Sequence, residues 1–212
     1  MLFRSSSGLK EKEVVLDIAL RLKKILQNQG FTIYMTRERD TDVSLESRPL
    51  LALQKDASAF ISIHINSAFQ KGSNSACGVE TYVLNSRYIG ASAKDVADRE
   101  NKASQYHDYE DNVLNQIIAD LEESASISFS LEFADVVQNN LVRYTNLSNR
   151  GVKQAPFIVL KGVNMAAVLV EVGFISNPTE EKLLKTPEFK EKVAQSLAKS
   201  VKDYISNMPE GL

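Results

Sequence analysis

The sequence predicts an α/β protein: a single domain with a mostly parallel, twisted sheet covered by helices on both faces. The first observation is that short apolar runs of strand length alternate with amphipathic segments of helix length along the whole chain. The second is that 212 residues contain no internal repeat and no long Pro/Gly/Ser-rich linker. One domain spanning residues 1–212, large enough to bury a core, is therefore expected.

Individual elements follow from hydrophobic periodicity and from the residues that end helices. Helix-length amphipathic patterns predict helices at 12–29, which Gly30 ends, and at 44–56, 89–103, 112–122, 128–144, 179–184 and 187–206. Thr186 before Pro187 is typical of a helix N-cap. Short β-rich runs predict strands at 31–36, 59–65, 79–84, 157–160 and 166–172. The least apolar stretch, residues 99–126, is predicted to be a surface insertion.

Composition excludes several classes of protein. Lys plus Arg is 25 and Asp plus Glu is 27, so the net charge of −2 gives no basic footprint for a nucleic acid. The single cysteine, Cys77, excludes an internal disulfide and a cysteine-based zinc cluster. No apolar run approaches the roughly 20 residues of a membrane span, and no signal peptide is recognisable. As written, the chain is expected to stay in the cytoplasm.

His64 lies near the end of an apolar predicted strand. The two-residue period of a strand places it on the same face as Ser62 and Asn66. Ligands of open α/β sheets bind beyond the carboxyl ends of strands, so His64 is placed to meet one. A structural histidine whose ring is satisfied by hydrogen bonds is the alternative. His107 lies in a polar segment and is expected at the surface.

Two glutamates stand out by their position. Glu171 lies within an apolar predicted strand, where an ionised carboxylate requires a compensating metal, cation or proton. A proton held there would suit a general acid or base, and an ion pair with Lys or Arg is the alternative. Glu11 opens the first helix, where interaction with the helix dipole alone would explain it. Residues 150–154 form a compact cationic segment, read either as a loop that holds an anionic substrate group or as a solvated turn.

Five stretches together resemble the zinc-dependent N-acetylmuramoyl-L-alanine amidases, the type 3 amidase family. They occur in the family's order, and the resemblance covers the chain from about residue 8 to residue 204. The matching stretches are residues 8–19 (GLKEKEVVLDIA), 62–67 (SIHINS), 78–82 (GVETY), 149–155 (NRGVKQA) and 168–178 (VLVEVGFISNP).

The resemblance implies a hydrolase that cleaves the amide bond between N-acetylmuramic acid and L-alanine of peptidoglycan, in cell-wall remodelling or daughter-cell separation. By motif position, Glu11 and His64 would be Zn²⁺ ligands and Glu171 the catalytic glutamate. Substrate contacts by Asn66, Arg150 and Lys153 are also implied. Localisation in the periplasm or cell wall comes from the resemblance as well.

The family's pattern begins with a strand ending in Asp-Pro-Gly-His-Gly-Gly, whose histidine is another zinc ligand, and this sequence contains no such segment. The resemblance therefore implies an amidase domain truncated at its N-terminus, with its first strand missing and a sheet edge exposed. A catalytically silent peptidoglycan-binding remnant is the competing interpretation. Some division amidases of the family carry a helix that plugs the site until an activator protein removes it, and residues 99–126 occupy the corresponding place.

Overall fold

The computed structural model describes residues 5, 7–68, 76–104 and 113–207, without the side chains of residue 103 and residues 113–125. Its helices and strands are interspersed along the chain, which confirms the predicted α/β class. The strands are β1 (Ala59–Asn66), β2 (Val79–Leu84), β3 (Asn149–Ala155) and β4 (Ala166–Phe174). The α-helices are α1 (Glu11–Asn28), α2 (Ser47–Gln54), α3 (Ala93–Glu100), α4 (Val113–Thr145), α5 (Pro178–Lys185) and α6 (Pro187–Asn207).

The four strands form one mixed sheet in the order β1-β4-β2-β3. β1 is parallel to β4, β3 is parallel to β2, and β2 is antiparallel to β4. The carboxyl ends of β1 and β4 therefore lie at the same edge of the sheet as the amino ends of β2 and β3. All nine residues of β4 are buried, as expected for a central strand with both faces covered.

Helices pack on both faces of the sheet, as predicted. On one face α1, α4 and α6 enclose an apolar core that contains Ile18, Phe133 and Leu197. On the other face α2, α3 and the turn at Ile158–Leu160 cover a second core around Tyr82 and Leu169. Among the residues that the structure describes, no helix has the length and apolarity needed to cross a membrane.

Local signals set several helix ends as the sequence predicts. Pro49 lies in the first turn of α2, where its missing N–H breaks no helical hydrogen bond. Thr186 precedes α6, and its Oγ1 accepts a hydrogen bond from the backbone N–H of Phe189 at 3.2 Å.

Four predictions of secondary structure were wrong. Residues 31–36 form no strand, and residues 157–160 form a turn of 3-10 helix instead of a strand. The helices predicted at 112–122 and 128–144 are one helix, α4, because no Gly or Pro interrupts it. Residues 150–154, predicted to be a loop, lie inside β3. The insertion predicted at 99–126 includes residues 105–112, which lie outside the described residues.

The segment at 31–36 remains extended because it has no neighbouring strand to pair with. A cavity of about 750 Å³ separates it from β1 and is lined by residues of both, including Ile33, Ile61 and Ile63. The outer edge of β1 consequently has no strand partner among the described elements.

Packing between α4 and α6 is expected to dominate the stability of the first core. Leu197 of α6 is fully buried there, so Leu197→Ala should lower the free energy of unfolding by about 2–5 kcal/mol. Leu20 of α1 is 38% exposed and supplies the control, because Leu20→Ala should cost less than about 1 kcal/mol. Urea denaturation followed by circular dichroism measures both values, and equal losses would contradict this account of the core.

Candidate functional site

The strand register places three ionisable side chains in a row across the sheet. His64 of β1 is the register partner of Glu171 of β4, which is in turn the partner of Glu80 of β2. Side chains of directly paired residues project from the same face, so the three groups lie side by side. Both carboxylates are completely buried. The sequence alone singles out His64 and Glu171, whereas Glu80 is identified by the strand pairing.

His64 lies between two carboxylates that reach it from different helices. Its Nδ1 is 3.3 Å from Oε1 of Glu11, the first residue of α1, and 3.0 Å from Oε2 of Glu100, the last residue of α3. Its Nε2 is 3.1 Å from the hydroxyl of Ser62, the neighbour predicted to share its face. Oε1 of Glu11 also accepts a hydrogen bond from the backbone N–H of Ile65. These contacts fix the ring and direct Nδ1 at the carboxylates.

The charges of this cluster change one another's protonation. Burial alone would lower the pKa of His64, but the adjacent carboxylates of Glu100 and Glu11 raise it to about 10. Burial opposes ionisation of Glu100, yet His64 and Arg99 lower its pKa to about 2. The pKa of Glu171 is raised well above its usual value, first by burial and then by the charge of Glu100. The adjacent carboxylates therefore favour the protonated form of the His64 imidazole.

Glu171 has one satisfied oxygen and one that is buried without a partner. Arg99 donates from Nη2 to Oε1 of Glu171 at 3.3 Å, while its other nitrogens contact Glu100 and the backbone oxygen of Ser67. Oε2 of Glu171 has no hydrogen-bond partner among the described residues. Buried polar atoms are nearly always paired, so an unpaired carboxylate oxygen indicates a place for water or substrate.

Glu80 holds a second network next to this cluster. Its Oε1 accepts from Nδ2 of Asn66 and from the hydroxyl of Tyr82, and its Oε2 accepts from Nε of Arg150 and from Nζ of Lys153. Although burial opposes ionisation, Lys153 and Arg150 lower the pKa of Glu80. The network explains why Asn66, Arg150 and Lys153 lie close together, and Lys153 is buried within it.

The donors around His64 fit a metal ion. One nitrogen of His64 and one carboxylate oxygen each from Glu11 and Glu100 all lie within 4.8 Å of one another. A set of imidazole and carboxylate donors is typical of zinc, and catalytic zinc sites commonly have three protein ligands. Nδ1 of His64 lies between the carboxylates of Glu11 and Glu100, where a cation would balance their charge.

The structure brings together Glu11, His64 and Glu171, the three principal residues that the sequence analysis selected. His107 lies outside the described residues. Sequence reasoning missed Glu100, although a signal exists: Val96, Ala97 and Glu100 recur at helical spacing on the buried face of α3. It also missed Arg99 and Glu80, which contact or adjoin Glu171.

Comparison with known proteins gives a consistent result. The sequence pattern of the family described as N-acetylmuramoyl-L-alanine amidase matches residues 4–203. The chain is 36% identical over 204 residues to N-acetylmuramoyl-L-alanine amidase AmiA of Escherichia coli K12, covering 94% of this chain and 70% of that protein. It is 34% identical to the amidase AmiC of Neisseria meningitidis, covering 95% of this chain and 49% of that protein.

Solved structures agree. An N-acetylmuramoyl-L-alanine amidase from Clostridium difficile 630 superposes with a TM-score of 0.74 at 26% identity, over 98% of this chain and 90% of that chain. The catalytic domain of the amidase CwlV from Bacillus (Paenibacillus) polymyxa gives a TM-score of 0.69 at 28% identity, over 94% and 87%. From its sequence and its fold, this chain belongs to the N-acetylmuramoyl-L-alanine amidase family, the type 3 amidases that hydrolyse peptidoglycan.

Proposed function

We propose that the chain cleaves the amide bond between N-acetylmuramic acid and L-alanine at a zinc site formed by Glu11, His64 and Glu100, with Glu171 as the catalytic residue. The observation that carries the proposal is the buried, unpaired Oε2 of Glu171 beside a convergent set of metal donors. A binding remnant without catalysis is not favoured, because a binding surface alone would not require a buried carboxylate with an unpaired oxygen.

Zinc bound at this site would polarise a water molecule and the scissile carbonyl. Glu171 then acts as the general base and accepts the proton of the attacking water at its unpaired oxygen. The same carboxyl group delivers that proton to the leaving amide nitrogen, so that the amide is hydrolysed to the lactyl carboxylate and a free L-alanine amine. Because Arg99 holds Oε1, the proton is exchanged at Oε2.

Asn66 and Arg150 are proposed to contact the substrate near this row of carboxylates. Lys153 is proposed to contribute to the same region through its charge, since its Nζ is held by Glu80. Because the substrate is peptidoglycan, we propose that the protein acts in the periplasm or cell wall, in wall remodelling or daughter-cell separation.

We also propose that an activator protein controls the site through residues 99–126. Arg99 and Glu100 begin this segment and contact Glu171 and His64 directly. Drawing away the part of the segment beyond Glu100 would loosen Arg99 and free Oε1 of Glu171, while Glu100 would remain with the other zinc donors. One amidase of this fold, CwlD from Clostridioides difficile, is known in complex with the lipoprotein GerS.

Zinc affinity is expected to depend on all three donors. Glu100→Gln and Glu11→Gln should each raise the dissociation constant for zinc by more than about tenfold, because each removes a charged ligand. A roughly tenfold loss is already typical when a residue that only hydrogen-bonds to a metal ligand is changed. Calorimetric titration of the full chain with zinc chloride measures the dissociation constants. Asp98→Asn on α3 and Glu13→Gln on α1 are matched controls that should bind zinc like the unmodified chain. Unchanged affinity of Glu100→Gln would exclude Glu100 as a ligand.

The variant Glu171→Gln should separate catalysis from metal binding. It keeps the shape of the side chain but cannot accept the proton of water, so hydrolysis of purified peptidoglycan should fall by at least about 10²-fold. Released peptides with a new N-terminal L-alanine report the rate, and Glu188→Gln on the exposed face of α6 is the control. A comparable loss of zinc binding in Glu171→Gln would instead make Glu171 a ligand or structural group.

Deleting residues 104–112 tests control by the 99–126 segment. The deletion shortens the part of the segment beyond Glu100. Arg99 should then be held less firmly on Oε1 of Glu171 while Glu100 stays with the zinc donors, so peptidoglycan hydrolysis should accelerate. The same peptide-release assay compares the deletion with the unmodified chain at equal zinc occupancy. Equal rates would contradict the proposed regulation.

A further inference from the structure

Arg150 is held by three features of the fold in one orientation. Its Nε donates to Oε2 of Glu80 at 2.7 Å, and its guanidinium lies 4.9 Å from the centre of the Phe174 ring. Between Val79 and Thr81 the partner strand β3 contains one extra residue, a bulge at which Gly151 adopts a φ of 80°. Bulges of this kind re-aim a side chain, and here the bulge adjoins Arg150.

The terminal amino groups of Arg150 remain available. No hydrogen bond or ion pair engages Nη1 or Nη2 among the described residues, and the side chain is 25% exposed. A planar guanidinium fixed at Nε and stacked on a ring presents these two donors with little remaining freedom. Two parallel N–H donors match the two oxygens of a carboxylate.

Glu80 is saturated and cannot itself bind a ligand. Four donors occupy its carboxylate: Asn66, Tyr82, Arg150 and Lys153. Lys153 and Arg150 carry two positive charges and Glu80 carries one negative charge, so the network has a net charge of about +1. Of the two cations, Arg150 is the more exposed to solvent. This excess charge favours an anionic ligand at the guanidinium.

The distance from Glu171 suggests which part of the substrate is bound. Glu80 lies on the strand next to Glu171, and Arg150 lies one strand further, so the separation across the sheet is about 10 Å. Extended peptide spans up to about 3.5 Å per residue. The side chain of Arg150 extends toward Glu80, which shortens the distance from its guanidinium to Glu171. A group on the second residue beyond the scissile amide can therefore reach the guanidinium.

We propose that Arg150, oriented by the positioning residue Glu80, binds the free carboxylate of the second residue of the stem peptide. This inference rests on the proposed function. It assigns to the site a preference for an acidic second residue over the same residue in its carboxamide form.

Two ligands differing in a single group test the proposal. They are a muramoyl dipeptide of L-alanine and D-isoglutamate with a free carboxylate, and the same compound with that carboxylate converted to a carboxamide. Binding to the full chain in the presence of a chelator, which prevents hydrolysis, is followed by NMR titration. The unmodified chain should bind the carboxylate form at least roughly tenfold more tightly, as expected for a charge-assisted hydrogen-bonded pair.

The variant Arg150→Gln should lose the preference and bind the two ligands with about equal affinity. Glu80 keeps Lys153 as its partner in this variant, so the fold should persist. Phe174→Leu should lower the preference, because it removes the ring against which the guanidinium lies and leaves every charge of the network in place. Arg143→Gln, on the exposed face of α4, is the matched control and should retain the full preference.

Equal affinity of the unmodified chain for both ligands would overturn the inference, as would a preference that survives in Arg150→Gln. Hydrolysis with zinc is measured in parallel to separate the two proposals. Selective binding without hydrolysis would overturn the proposed function alone, whereas hydrolysis without selectivity would overturn this inference alone.

Discussion

The pairing of β4 with β1 on one side and with β2 on the other is the constraint on which the site depends. It fixes His64, Glu171 and Glu80 in one row, at a spacing set by backbone hydrogen bonds and not by flexible side chains. A one-residue slip in either pairing would turn these groups to the opposite face of the sheet. Such slips are strongly disfavoured because both faces of β4 are buried. The packing that stabilises the core therefore also fixes the positions of the site residues.

Burying this many charges is tolerable because they nearly cancel. Glu11 and Glu100 face the protonated ring of His64 and the guanidinium of Arg99, while burial favours the protonated form of Glu171. Removing one member would leave an uncompensated buried charge, which typically costs several kcal/mol. A divalent cation that replaces the proton of His64 would favour ionised Glu171. In the proposed mechanism, the cluster would therefore couple metal occupancy to the availability of a base.

Sequence patterns predicted elements well where a strong local signal coincided with burial. β1, β2, β4 and the terminal helices follow from apolar periodicity and from the caps at Gly30 and Thr186. The pattern failed at 31–36, where a strand-like sequence lacks a partner, and at 150–154, where a polar strand with a bulge has no apolar alternation. Whether a segment joins a sheet depends on its neighbours, which a local pattern does not contain.

The site was predicted to the extent that its residues lie in recognisable motifs. Glu11, His64 and Glu171 each had an ordinary structural explanation, and the resemblance to a family gave them a common role. Glu100 escaped because it lies at the start of a stretch whose low apolarity indicated a surface insertion. Its contact with His64 arises from the packing of α3 on the sheet, a tertiary effect that residue spacing within the sequence does not specify.

The cavity beside β1 has a consequence for local opening. Among the described strands β1 pairs with β4 alone, whereas the outer edge of β3 gains a bridge between Ile89 and Gln154. Strands with fewer partners open at lower free energy than the molecule as a whole unfolds. Because His64 lies on β1, the donor cluster can come apart while β2, β3 and β4 remain paired. Amide hydrogens of β1 should accordingly exchange with solvent before those of β4. The lifetime of the proposed metal centre would then be governed by the opening of one strand and not by global unfolding.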